Sequence, residues 1–171
     1  MKWSKDSANN QIYAEKISSN KTELLFLALM VLCALFLIWR VNVRAWDVLG
    51  IVFGCLSTLF LFYSLNYRTL IITLTSDALK LTFGIFSWTV PLDNVSSISL
   101  DDIPTINRLG GAGIHFMMVR NRYRASFNFL EYPRLVIAFK KKVGLVRDIS
   151  FSTRQPDYLM QLVKNAAFIN Q

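Results

Sequence analysis

Few side chains in this chain are suited to catalysis or metal binding. His115 is the only histidine among 171 residues, so a histidine-based metal site or a nucleophile–histidine pair has little to draw on. Asp101 and Asp102 are adjacent, and adjacent side chains point apart on an extended chain, which favours a solvated loop over a cation site. We therefore predict no catalytic residue, no cofactor and no metal site, and we expect His115 to be an outward-facing strand residue.

Two basic clusters are the candidates for binding. One places three arginines at alternate positions on a strand face or turn, and the other is predicted to crown a hairpin turn. They are Arg120, Arg122 and Arg124 in the first cluster and Lys140, Lys141 and Lys142 in the second. Both clusters suit anionic headgroups or phosphates. The alternative is a basic surface that is simply solvated.

A glycine-rich stretch precedes the arginines. Gly110, Gly111 and Gly113 do not follow a strand and open a helix, so they do not fit a nucleotide-binding loop. Glycines more readily permit the positive φ angles of a tight turn. With His115, they mark a candidate interaction turn.

Two long apolar runs of residues lie in the N-terminal part of the chain. The runs cover residues 24–39 and 48–65, and neither contains a charged residue. A bilayer core of about 30 Å needs about 20 mostly apolar residues as a helix, and the backbone must pair its own polar groups there. We predict a transmembrane helical hairpin over residues 22–67, with spans at about 23–41 and 46–65. The alternative is a pair of buried helices in a soluble protein.

The second apolar run contains small residues spaced four apart. Gly50, Gly54 and Thr58 form an extended G-x-x-x-G pattern, which lets another helix approach closely. That helix is either the first span of the same hairpin or a second copy of the chain.

The distribution of basic residues predicts how the chain is oriented in the membrane. Four basic residues near the spans fall on the side of the chain ends and two fall on the loop side, which places both termini in the cytoplasm of a cell-membrane protein. They are Lys16, Lys21, Arg68 and Lys80 against Arg40 and Arg44. From residue 66 onward there are 13 Lys and Arg against 7 Asp and Glu. That surplus suits anionic lipid, whereas a membrane tether makes nucleic acid an unlikely partner.

The N-terminal tail is predicted to be polar over residues 1–21. Its segment 12–17 fits a short interfacial helix or a disordered stretch equally well. From Arg68 the pattern alternates with period two, which predicts a series of short strands, with Ile98 and Leu100 facing inward. A final apolar stripe with helical spacing predicts a C-terminal helix, with Thr153 as its N-cap.

The order of several segments resembles a known family. Residues 72–84, 88–98 and 110–114, and the closing strands with Gln155-Pro-Asp157, are similar to bacterial and archaeal pleckstrin-homology-like (PH-like) domains. The family's usual Trp is Ala112 here, and its usual Arg is His115, so a contact site at those positions would be lost. The resemblance implies that residues 68–171 form an antiparallel barrel of about seven strands capped by an α-helix, hence an α+β membrane protein.

The predicted function is that of a non-enzymatic binding or scaffold module. It would present a cytoplasmic barrel to a protein partner or to a second copy of itself, because many members of the resembled family carry membrane spans without an assigned activity. The alternative is an anionic-lipid-binding regulator that uses the two basic clusters.

Overall fold

A computed structural model describes residues 10–44, 47–103 and 113–168. Its helices are α1 (Asn20–Arg44), α2 (Val48–Asn66) and α3 (Pro156–Phe168). Its strands are β1 (Gln11–Ser18), β2 (Thr69–Thr75), β3 (Ala78–Phe83), β4 (Phe86–Pro91), β5 (Val95–Leu100), β6 (Gly113–Val119), β7 (Arg122–Asn128), β8 (Arg134–Val143) and β9 (Val146–Ser152). A 3-10 turn at Leu92–Asn94 joins β4 to β5. The prediction of two apolar helices followed by strands and a C-terminal helix is confirmed.

Helices α1 and α2 are long and apolar enough to cross a membrane. Only 11% of the residues in the most apolar stretch of α1 are buried, and only 6% in that of α2. A core helix of a soluble protein would be buried on at least one face. These two helices therefore do not serve as core helices of the domain that the strands form.

The two helices contact each other through the small residues of α2. The position that a Cβ atom would take on Gly50 or Gly54 lies within 4 Å of the Leu37 side chain of α1. Ser57 Oγ donates a hydrogen bond to the carbonyl oxygen of Met30 (3.3 Å), while Thr58 Oγ1 bonds within its own helix. The glycines thus pack against the first helix, the first of the two alternatives for this motif.

A capped turn starts α2. Asp47 is its N-cap, and its Oδ1 accepts a hydrogen bond from the backbone N–H of Gly50 (2.9 Å). The other carboxylate oxygen of Asp47 pairs with the guanidinium of Arg40 on α1. This ion pair joins the two helices at the end farthest from the strands.

The N-terminal segment forms a strand, which corrects both alternatives considered for residues 12–17. β1 pairs antiparallel with β2, from Gln11 opposite Thr75 to Ser18 opposite Thr69. The side chains of Tyr13, Glu15 and Ile17, at alternate positions of β1, are the less exposed ones, and Ile17 is fully buried. The pattern is hard to recognise because a glutamate and a tyrosine stand where apolar residues mark most strands. The domain therefore begins near residue 11, before the helices, and not at residue 68.

The first sheet has the order β1-β2-β3-β4. The hairpins β2–β3 and β3–β4 confirm the predicted alternation, because the inward rows of β2 and β3 are fully buried. These rows are Leu70, Ile72 and Leu74 on β2 and Leu79, Leu81 and Phe83 on β3.

The second sheet has the order β5-β8-β9-β7-β6. Its strands β7 and β9 are parallel, with Arg124 opposite Asp148 and Phe127 opposite Phe151. The prediction of a wholly antiparallel barrel is wrong at this pair. The reason is that β9 folds back on β8 in a hairpin and so enters the sheet between β8 and β7.

The edge strand β5 also departs from its prediction. Ile98 is buried as expected, but Leu100 is half exposed. Leu100 is the last residue of a strand that has a neighbour on one side only. At such a position only one neighbouring strand covers the side chain, so it remains partly exposed to solvent.

The three lysines lie on a strand and not in a turn. β8 extends to Val143, and the turn to β9 uses Gly144 with φ +61°. The pairing of β8 with β9 shifts in register between Ala138 and Val143. There the backbone of Lys141 bonds instead to the side-chain amide of Asn94, through its N–H (2.8 Å) and its carbonyl oxygen (2.9 Å).

Helix α3 packs its apolar stripe on the core. Leu159, Val163 and Ala167 are buried, whereas Ile169 lies outside the described residues. The helix begins at Pro156, so Thr153 is too far from the first turn to be the N-cap that the sequence suggested. Thr153 Oγ1 instead accepts a hydrogen bond from the backbone N–H of Gln155 (3.2 Å).

Glu15 joins the first strand to the segment before α3. Its Oε2 accepts hydrogen bonds from Thr153 Oγ1 (2.6 Å) and Tyr13 Oη (3.0 Å), and its Oε1 accepts one from the N–H of Arg154 (2.9 Å). Burial, the Glu15 hydrogen bond and the Glu15 charge raise the pKa of Tyr13 to about 12. Residues 138 positions apart are thereby fixed to each other.

An aromatic cluster forms the junction between the helices and the strands. Tyr67, which caps α2, stacks on Tyr63 with ring centroids 5.0 Å apart and meets Phe83 of β3 edge-on at 5.6 Å. Phe26 of α1 meets Tyr63 edge-on at 5.5 Å. The Tyr67 ring also lies directly against Gly113 at the start of β6, where φ is +85°.

We expect Gly113→Ala to destabilise the protein more than Gly144→Ala. Both glycines have positive φ, which costs an alanine about 1–2 kcal/mol. At Gly144 no atom of the described residues lies within 4 Å of the added Cβ, whereas at Gly113 the added Cβ would lie 2.6 Å from Tyr67 Cδ2. Overpacking should bring the loss of unfolding free energy for Gly113→Ala to about 2–4 kcal/mol. Denaturant unfolding in detergent measures both, and equal losses would refute the close contact with Tyr67.

We expect Glu15→Ala to loosen β1 and the start of α3 together. Losing three hydrogen bonds to a carboxylate should cost about 2 kcal/mol of unfolding free energy. Hydrogen exchange at the backbone amides of β1 and of the first turn of α3 should become faster in this variant. Lys16→Ala is the matched control, because Lys16 is exposed on the same strand. Unchanged exchange in α3 of the Glu15→Ala protein would contradict the proposed link.

Candidate functional site

The candidate site is a cavity of about 330 Å³ on the second sheet. Its wall residues on β5, β8 and β9, apart from Leu100 at the end of β5, alternate along the strands with core residues such as Ile98, Ile137 and Ile149. The cavity therefore lies on the face of the sheet that is turned away from the core. It is lined by Ser97, Ser99, Leu100, Asp102, Val119, Arg120, Arg122, Arg124, Val136, Ala138 and Asp148.

Polar side chains cover this outer face, and many of them are buried. The hydroxyls of Ser126 and Ser150 lie 3.0 Å apart, and Asn128 Nδ2 donates to Ser150 Oγ (3.1 Å). Ser152 Oγ accepts a hydrogen bond from the backbone N–H of Phe129 (2.9 Å). Strands β7 and β9 are therefore packed on both faces, with an apolar layer toward the core and a hydrogen-bonded polar layer outside.

A buried ion-pair network forms one wall of the cavity. Arg124 places Nη1 3.3 Å from Asp101 Oδ1 and Nη2 3.7 Å from Asp148 Oδ2. Arg122 Nη2 lies 3.1 Å from Asp148 Oδ1. The side chains of Arg124, Asp101 and Asp148 are all at least nine-tenths buried. Since an unpaired buried charge is strongly destabilising, these groups must remain paired with one another.

An exposed ion pair closes the outer edge of the cavity. Arg120 belongs to the turn between β6 and β7, where Arg120 and Asn121 both have positive φ. Its Nη2 donates to Asp102 Oδ2 at 2.9 Å. This hydrogen bond and the positive charge of Arg120 hold the pKa of Asp102 below its usual value. Both side chains are well exposed, so water and salt compete with the pair.

The structure brings the three predicted arginines together and keeps the three lysines apart from them. Lys140, Lys141 and Lys142 line a separate surface cavity of about 280 Å³ together with Asp93 and Asn94. Among the residues that the structure describes, none lines both this second cavity and the arginine cavity.

The sequence did not single out Asp148, Ser97 or Ser99 as site residues. All three face outward on strands whose other face is core, as the burial patterns of β5 and β9 show. The signal that could have found them is a polar or charged residue at the outward positions of β5 and β9. These strands come close together only in the folded sheet, so the sequence does not show that their outward residues meet. Asp101 and Asp102 were noticed, but as a solvated loop and not as the partners of Arg124 and Arg120.

The predicted interaction turn is only partly within the described residues. Gly110 and Gly111 lie outside them, and Gly113 is held against Tyr67. His115 is on the outward face, opposite Ser126, and it is half buried. Neither ring nitrogen has a hydrogen-bond partner among the described residues. Burial, and to a lesser degree the charge of Arg134, lowers the pKa of His115.

Arg122 and the three lysines lie far along the strands from the helix junction, whereas Val136 of the arginine cavity is only two residues from Arg134. Asn128 is opposite Gly113, which contacts Tyr67, and Arg122 is six residues further along β7. At about 3.3 Å per residue the separation is about 20 Å. The lysines lie six to eight residues beyond Arg134 on β8, or about 20–26 Å. The Arg134 end of β8 is near the junction, because Tyr132 Oη donates to the Ser18 carbonyl (3.0 Å) just before α1.

No group of three or more histidine, cysteine, aspartate or glutamate side chains among residues 10–44, 47–103 and 113–168 is arranged to hold a metal ion. Comparison with known proteins finds no matching family model, no matching curated protein and no matching solved structure. The resemblance to PH-like domains therefore stays a prediction.

We expect the stability of the protein to fall as the pH drops below about 6.5, because of His115. A lowered pKa means that the unfolded chain takes up a proton near pH 6.5 while the folded chain does not. The stabilisation is therefore complete above the unfolded pKa and is lost as the pH falls toward the folded one. Thermal unfolding at a series of pH values should show a flatter dependence for His115→Asn. The chain has no second histidine, so equal slopes in the two proteins would refute this assignment.

Proposed function

We propose that this chain is a membrane-anchored binding module. In this proposal α1 and α2 cross the cell membrane as a hairpin, and the domain of β1–β9 and α3 lies in the cytoplasm. The low burial of two long apolar helices supports the anchor. The excess of basic residues near the chain ends supports the orientation.

One geometric observation carries the proposal of a binding role. Arg122 of the arginine cavity and the three lysines of β8 are about 20 Å or more from the helix junction along the strands. Physiological salt screens charges beyond about 8 Å. These groups therefore face water and suit a partner that approaches from the cytoplasm.

The same distance weakens the alternative of an anionic-lipid regulator. The basic residues nearest the helix ends are Lys21 and Arg68. Lys21 is 3.8 Å from Glu131, and Arg68 is 3.1 Å from Glu23. These glutamates offset the positive charge that would attract anionic headgroups. A protein partner is therefore favoured over the chain's own membrane.

Two further predictions belong to this proposal. The first is that the domain is PH-like. Its support is a C-terminal helix that packs on a core shared by both sheets, where Phe83 of β3 meets Phe129 at 5.0 Å; the parallel pair β7–β9 is a departure. The second is that the partner is a different protein, since Gly50 and Gly54 already pack against Leu37 and leave a second copy no small-residue face there.

Site-directed spin labels test the arrangement. Ile85 is exposed in the turn that packs on the end of α2, where Gly84 closely approaches Asn66. In full-length protein reconstituted in vesicles, with Cys33 and Cys55 replaced by Ser, we expect a label at Ile85→Cys to be relaxed mainly by oxygen dissolved in lipid. A label at Lys141→Cys should be relaxed mainly by a water-soluble nickel chelate.

Vesicle composition provides the control for the lipid alternative. Adding anionic lipid should leave the chelate accessibility of the Lys141→Cys label unchanged, because the label lies beyond the screening length. A marked loss of accessibility in anionic vesicles would favour the lipid regulator. Equal chelate accessibility of the two labels would remove the support for the membrane anchor.

A further inference from the structure

The arginine cavity is neutral as long as Asp102 stays in place. Three arginines and two aspartates line it, and a third aspartate, Asp101, pairs with Arg124 in its wall. Its floor includes the small apolar residues Val136 and Ala138, and Ser97 and Ser99 supply hydroxyl groups from β5. A volume of about 330 Å³ is at the lower end of the range for ligand sites. When Asp102 leaves Arg120, one positive charge is left without a partner, and the site then suits one singly charged anion flanked by polar groups.

The three arginines have different freedom to bind. Arg124 uses both terminal nitrogens on Asp101 and Asp148 and is nine-tenths buried, so it is a positioning residue. Arg122 uses one terminal nitrogen, Nη2, on Asp148, its side chain is 42% exposed, and its other terminal nitrogen takes no part in that pair. Arg122 therefore has donors left for a ligand, and Asp148 holds it in place.

At the edge of the cavity, the carboxylate of Asp102 already occupies the place that an anionic ligand would take. This carboxylate accepts a hydrogen bond from Arg120, and both partners are exposed. An exposed pair contributes little to stability, so a ligand carboxylate can take the place of Asp102 at low cost. Arg120 would then exchange one carboxylate for another.

We propose that this cavity binds a carboxylate side chain from an acidic segment of a partner protein. The incoming carboxylate bonds to Arg122 and displaces Asp102 from Arg120, while Ser97 and Ser99 bond to the backbone beside it. The inference rests on the proposed binding role and adds the chemistry of the partner.

Charge favours a carboxylate over a phosphate. A carboxylate carries one negative charge, so it restores neutrality once Asp102 has left, and its two oxygens match the paired donors of a guanidinium. A phosphate monoester carries about −1.5 to −2 charges at neutral pH. It would leave a net negative charge close to the buried carboxylate of Asp148.

Peptide binding to the full-length protein tests the inference. The protein is placed in nanodiscs of zwitterionic lipid, and fluorescence anisotropy is measured with an end-blocked peptide that contains three glutamates. The same peptide with glutamines is the probe control. We expect the glutamate peptide to bind and the glutamine peptide not to bind, with inorganic phosphate a weak competitor.

Two variants should shift affinity in opposite directions. Arg122→Gln should weaken binding of the glutamate peptide by about tenfold or more, since a hydrogen bond to a charged group is lost. Asp102→Asn should strengthen binding several-fold, because the competing carboxylate is removed. Lys141→Gln is the matched control, because it removes a positive charge outside the cavity. It should leave the affinity for the glutamate peptide unchanged. Asp102 is exposed, so its variant keeps the test valid even if Arg122→Gln unfolds.

Several results would overturn the inference. These are equal binding of the two peptides, no binding at millimolar peptide, an unchanged affinity in Asp102→Asn, or competition by inorganic phosphate as effective as that of the glutamate peptide. Free glutamate that binds as tightly as the peptide would overturn the assignment to a protein segment. If the peptide fails to bind while the Lys141→Cys label remains in water, the cavity assignment fails and the proposed module stands.

Discussion

The contact of Tyr67 with its surroundings is the constraint on which the rest of the structure depends. Tyr67 ends α2, stacks on Tyr63, meets Phe83 in the core and lies against Gly113 of the second sheet. The helices therefore join the domain at one end of its strands and through buried aromatic rings. Because β1 enters α1 directly and β2 follows α2, both connections are made at this same end. The position of this junction therefore sets how far every other surface of the domain lies from the proposed membrane.

The outer face of the second sheet is the other unusual feature. Most exposed sheet faces are solvated, but here Ser126, Asn128 and Arg124 are buried beside the chain's central parallel pair. Buried ion pairs are weak contributors to stability, because desolvation offsets much of the attraction. Their use here fits a fixed arrangement of guanidinium groups, in which Arg124 orients Asp148 and Asp148 orients Arg122. A rigidly held arginine loses less conformational freedom when it binds an anion.

The sequence predicted much of the fold but only part of the site. Continuous apolar runs identified α1 and α2, and period-two alternation identified β2 and β3, because in each case one strong local pattern corresponds to one structure. The prediction was wrong for β1, where Glu15 replaces an apolar residue and finds its partners near residue 153. It was also wrong for the lysine turn, because a register shift and the distant side chain of Asn94 allow β8 to continue. The arginines were recognised by type, but not their carboxylate partners.

The sequence by itself determined which segments are apolar helices, which alternate as strands and where basic residues are concentrated. These properties depend on neighbours a few residues apart, so the local order of side chains is sufficient to specify them. Only the tertiary structure decided that β9 lies between β8 and β7, that Asp101, Asp102 and Asp148 neutralise three arginines, and that Arg122 lies far from the helix junction. These outcomes depend on pairing between strands tens of residues apart, and such pairing is selected by packing and charge across the whole domain.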